Sequence, residues 1–146
     1  MHINKDLLSE LLYEKTKDEI ISYVKNTEDS VLLHMIAGNY NWDDGLEVPE
    51  NILKNKNCDL GTVLMIFDLA EGYTFLMGDD GNAFQSEQIN FLSDLKWKIE
   101  NGFFDNQSIK YNPELSGAMK YTLKNAGINE VFIDGTDGKT TDIIIV

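Results

Sequence analysis

The chain has 146 residues, 42% of them hydrophobic and 25% charged, enough for one domain with its own core and unlike a disordered segment. Its formal net charge is −13 and it contains no arginine, which argues against nucleic acid or an anionic membrane as a direct partner, since both are held by Lys and Arg. The N-terminal stretch lacks the basic and apolar blocks of a signal peptide, no run is apolar for long enough to cross a bilayer, and the lone Cys58 forms no internal disulfide, so the expected location is the cytoplasm.

Asn4 is placed to cap a first helix with Leu7, Leu8, Leu11 and Leu12 on one face. Thr16-Lys17-Asp18-Glu19 has the form of a capping box, so a second helix starts there and buries Ile20, Ile21 and Val24. Thr27 offers a third cap, with Glu28 and Asp29 favourably placed in the first turn and Val31, Leu32, Met35 and Ile36 facing inward. Gly38 is read as the stop of this helix, which also carries His34, and Trp42-Asp43-Asp44-Gly45 as an ordered turn. Pro49 suits the first position of a short helix, where its missing donor is not needed. Asp59 then caps the most apolar helix, expected to run to Glu71, to be stopped by Gly72, and to lie at the centre of the core.

Residues 73–77 read equally as a short strand or a further helical turn, and 78–82 as a turn. Ser86 is expected to cap a long helix through about Asn101, with Ile89, Leu92, Leu95 and Ile99 inward, Trp97 joining it to the rest, and Gly102 as its stop. Pro113 opens a last helix that Gly127 ends, with Leu115, Met119, Tyr121 and Leu123 available for packing. Residues 130–134 and 142–146 are rich in β-branched side chains and flank the turn-like Gly135-Thr136-Asp137-Gly138, which predicts a C-terminal hairpin. The expected fold is therefore one domain over residues 1–146, α+β and mostly helical, with a helical bundle-like core and a C-terminal β-hairpin whose edge could also pair with another chain.

The run His34, Ala37, Tyr40-Asn41-Trp42-Asp43-Asp44-Gly45, Pro49, Ile52, Cys58-Asp59-Leu60-Gly61-Thr62, Phe67, Ala70 and Gly72 resembles the bacterial family catalogued as domain of unknown function 4274. The likeness is dense over roughly residues 30–77 and weaker in the later Ile-Glu-Asn-Gly-Phe and Val-Phe-Ile-Asp-Gly-Thr runs. It implies a small stand-alone bacterial protein, loosely associated with toxin and immunity gene neighbourhoods, and no particular reaction.

The acidity is concentrated. Between Glu28 and Asp94 there are thirteen acids against two lysines, a local net of −11, whereas each flank stands at −1. Such a field steers basic partners and repels phosphates. General solubility explains acidity as well, and its concentration in one segment sets a partner surface beside that reading. Trp42 with Asp43, Asp44, Glu47, Asp79 and Asp80 forms the expected partner-binding set, an aromatic anchor within an acidic rim. His34, Tyr40, Asn41, Gly45, Pro49, Cys58, Asp59, Gly61 and Thr62 are assigned to the structural motif, Cys58 as a small buried residue.

The competing reading gathers His34, Asp43, Asp44, Asp59, Asp68 and Glu71 into a metal-assisted hydrolase or small-ligand site, because Asp68 and Glu71 lie one helical turn apart. Yet His-Glu-x-x-His, the ligand ladder of a calcium loop and the Gly-Lys-Ser/Thr ending of a phosphate loop are all missing. No cofactor, metal or catalytic residue is expected. The sequence thus favours a non-catalytic acidic module for a basic protein partner, and the family resemblance implies one of the immunity type.

Overall fold

A computed structural model describes residues 4–78 and 84–146 of the chain. Asp79, Asp80, Gly81 and Asn82 of the expected turn, and His2, lie outside the described residues.

The protein is mostly helical α+β. Helix α1 (Lys5–Tyr13) is capped by Asn4, and α2 (Lys17–Asn26) opens on the expected reciprocal capping box between Thr16 and Glu19. Helix α3 (Ser30–Asn39) is capped by Asp29 rather than Thr27: the Asp29 carboxylate accepts from the amides of Val31 and Leu32, while Thr27 Oγ1 accepts from Asp29 N. A 3-10 turn (Trp42–Asp44) leads into α4 (Glu47–Lys54), which places Pro49 third in the helix, still within the first turn where no donor is needed. Helix α5 (Leu60–Leu69), capped by Asp59, is buried from Leu60 through Phe67. It ends at Leu69, two residues short of the expected Glu71, and the chain turns at a left-handed Glu71 with φ 68°. Gly72 instead opens α6 (Gly72–Leu76), which settles the 73–77 ambiguity as helix, and its missing Cβ makes room for the Phe67 ring.

Helix α7 (Ser86–Glu100) has Gln85 at its cap with no side-chain bond, so Ser86 is its first residue rather than its cap. Leu92, Leu95 and Ile99 are buried as expected, but Trp97 points outward, 54% exposed. Helix α8 (Gly117–Asn125) is capped by Ser116, whose hydroxyl accepts from Met119 N, and Pro113 lies buried upstream of it.

The C-terminal hairpin is replaced by something else. Residues Glu130–Asp134 form helix α9, capped by Asn129, because Phe132 packs on Phe67 at 5.0 Å and offers its carbonyl to Tyr73 Oη at 2.5 Å. Tertiary contact outweighs β-propensity in so short a run. Strands β1 (Ile109–Lys110) and β2 (Lys139–Thr140) pair in parallel, Ile109 opposite Lys139, and Tyr111 bridges Thr136 in antiparallel fashion.

Residues 141–146 cross α3 as an extended strap. Asn39 Nδ2 donates to Ile144 O at 2.9 Å, Tyr13 Oη donates to Val146 O at 2.8 Å, and Ile143 lies over Gly38. Gly38 therefore sits inside α3 rather than ending it. A Cβ there would fall 2.5 Å from Ile143 Cδ1. One connected core runs through these elements, with α5 at its centre against α3, α6 and α7.

Candidate functional site

The Cys-Asp-Leu-Gly-Thr run is a clasp. Asp59 is buried; its Oδ1 accepts from Gly61 N at 2.9 Å and Ile109 N at 3.1 Å, and its Oδ2 from Ser108 N at 2.6 Å. Leu60 N donates to Asn106 O at 2.8 Å, and Asn106 Nδ2 returns a bond to Lys56 O at 3.0 Å. Gly61 has no Cβ because the Ile109 carbonyl occupies that space. Thr62 Oγ1 meets His34 Nδ1 at 2.9 Å. Burial holds the His34 pKa below its ordinary value, against the opposing pull of Asp59 and of the Thr141 backbone. Cys58 is buried beside these groups, and burial, reinforced by Asp59, pushes its thiol up to about 12, so no thiolate forms near neutrality.

This clasp fixes residues 103–106 opposite α4 and α7, and the three together enclose a groove of about 760 Å³. Leu53 of α4, Phe91 and Leu95 of α7, and Phe103 and Phe104 supply its apolar surface. Glu50, Glu87, Asp94 and Asp105 stand on it as acids, with Lys54, Lys56 and Lys98 among them. Lys98 is paired to Asp94 at 2.9 Å, whereas Glu50, Glu87 and Asp105 have no ion-pair partner among the described residues.

The Trp42 turn adjoins this groove through Phe91. The Trp42 ring meets Tyr40 and Phe91 edge to face at 5.8 and 6.4 Å, so the indole is half-buried between the turn and α7. Asn41 Oδ1 accepts from Asp43 N at 3.0 Å, Tyr40 Oη donates to Gly45 O at 2.8 Å, and Gly45 takes φ 99°, open to glycine. Lys17 Nζ ties the turn to α2, donating to Asp44 O at 2.8 Å and pairing with Glu47 at 3.6 Å. Burial, with Asp44 and Glu47 adding to it, pushes the Tyr40 phenol up to about 12, so it stays a donor.

Asn41 and Lys17, rather than the Asp43 and Asp44 carboxylates, thus tie the turn. Those two carboxylates are exposed and have no ion-pair partner among the described residues. Of the expected partner-binding set, Trp42, Asp43, Asp44 and Glu47 stand together; Asp79 and Asp80 lie outside the described residues.

Not all the middle-region acids face outward. Asp59 is enclosed by amides, and Asp68 accepts the Tyr111 hydroxyl. Burial and Asp68 both raise the Tyr111 pKa above its ordinary value. His34, Asp59 and Asp68 therefore hold the fold together, and among the described residues no three His, Cys, Asp or Glu side chains converge as a metal site would require. Sequence reasoning missed Phe103 and Asp105 as groove residues. The available signal was Gly102-Phe103-Phe104-Asp105, adjacent aromatics just past a helix stop, where helical periodicity no longer buries both.

The fold and the site define a small helical α+β protein with an acid-bearing apolar groove beside a tryptophan turn. The model of the family described as a domain of unknown function (DUF4274) matches residues 28–101, just over half of the chain, and the chain belongs to that family. No curated protein and no solved structure matches it. Among the described residues no helix is long and apolar enough to cross a membrane.

Proposed function

We propose that the chain is a non-catalytic, acidic protein-binding module for a basic partner, of the kind in which an immunity protein covers a toxin or nuclease domain, acting in the cytoplasm. The observation that supports this reading is that the turn bearing the exposed Asp43 and Asp44 abuts, through Trp42 on Phe91, a groove on which Glu50, Glu87 and Asp105 have no ion-pair partner among the described residues. Desolvated aromatic and aliphatic surface supplies binding energy, and the surrounding acids supply steering and partner choice. The loose association of the family with toxin and immunity neighbourhoods points the same way.

Affinity capture from the native host tests it. The immobilised protein is expected to retain a basic protein at about 50 mM salt and release it near 1 M, where the screening length shrinks to about 3 Å. The variant Asp43→Lys/Asp44→Lys is expected to retain much less. Absence of a basic partner at low salt, or equal retention by the variant, contradicts the reading.

A further inference from the structure

Trp97 and Phe103 are 54% and 56% exposed, yet their rings pack edge to face with centroids 5.2 Å apart. Neither the core nor the Trp42 turn uses this pair. Phe103 lines the groove and Trp97 extends the aromatic surface beyond its edge. The clasp at Asp59 fixes the groove wall immediately after Phe103 and Phe104, since Asn106 is bonded to both Leu60 and Lys56. The aromatic surface is therefore presented on an anchored segment, which lowers the entropy cost of engaging it.

Resting on the protein-binding reading, we propose that the groove between α4, α7 and residues 103–106 takes a segment of the partner in which apolar side chains alternate with lysine or arginine. The apolar side chains enter between Leu53, Phe91 and Leu95, and Trp97 with Phe103 closes over them. Partner cations meet Glu50, Glu87 and Asp105, which lack ion pairs among the described residues, and the exposed indole offers a further cation–π contact. Lys54 and Lys56 on the same groove disfavour a uniform polycation. Charge and apolar surface together select the alternating pattern.

The test uses short synthetic peptides as probes, read by amide chemical-shift mapping on the whole chain. An alternating lysine–leucine peptide is expected to shift Leu53, Phe91, Phe103 and Asp105; lysine–serine and glutamate–leucine peptides are not. Both Trp97 and Phe103 are exposed, so Trp97→Ala/Phe103→Ala is expected to keep the fold and weaken the lysine–leucine peptide about tenfold or more. Shifts centred elsewhere, equal shifts from the control peptides, or undiminished binding by the variant overturn the groove assignment. If the captured natural partner is lost by Asp43→Lys/Asp44→Lys but held by Trp97→Ala/Phe103→Ala, the assignment fails while the protein-binding reading stands; if both variants hold it, both fail.

Discussion

Asp59 closes three backbone amides with two oxygens, and all of them lie in or beside the buried start of α5. In Asp59→Ala the buried amides of Gly61 and Ile109 lose their acceptor without regaining water, and Ser108 loses its bond as well, a loss of about 3 kcal/mol or more. Urea unfolding should show a lower midpoint at unchanged slope. His34 gives a pH signature. Its folded-state pKa is held below the unfolded value of about 6.5 by burial, so the unfolded chain takes up the proton first as pH falls. Its contribution to stability is full above that value and declines as pH drops toward the folded pKa, by at most about 1.4 kcal/mol per pH unit. Comparing unfolding midpoints at pH 7.5 and 5.5, wild type should lose more stability than His34→Gln; an equal loss in both would show that His34 is not the titrating group.

Among the elements, local chemistry was legible and long-range choice was not. Asn4, the Thr16–Glu19 box and Asp59 announce themselves because a cap acts within three residues of its helix. Residues 130–134 do not: Val131, Phe132 and Ile133 suit a strand, and Phe67 and Tyr73, distant in sequence, make them a helix. Gly38 was misread for the same reason, because the Ile143 side chain that demands its missing Cβ comes from the far end of the described chain. Half of the candidate site was visible, in the Trp42 turn, whereas the groove needs three separate segments and no spacing reports it. The strap itself is testable by a double-mutant cycle. Gly38→Ala should destabilise by about 1–3 kcal/mol through overpacking, and Ile143→Ala should relieve much of that penalty. Additive effects would mean that the strap does not press on α3. Gly61→Ala should be worse, because its neighbour is the Ile109 backbone carbonyl rather than a side chain that can turn away.

On the scale of the whole molecule, the net charge of −13 is divided between two roles. Asp59 and Asp68 are turned into the fold, while Asp43, Asp44, Glu50, Glu87 and Asp105 surround aromatic surface with no ion-pair partner among the described residues. A surface of this kind combines fast, salt-sensitive encounter with a short-range apolar lock. Stability should therefore respond little to Asp43→Lys/Asp44→Lys, since neither carboxylate holds the turn, and thermal unfolding of that variant should stay close to wild type. Binding should respond strongly. The most direct measurement is the dissociation constant of the captured basic partner, by titration calorimetry at several salt concentrations, for wild type and for Asp43→Lys/Asp44→Lys. Weakening with salt in wild type, together with at least about a tenfold loss in the variant, is the predicted result; an affinity indifferent to both would contradict an acidic binding face.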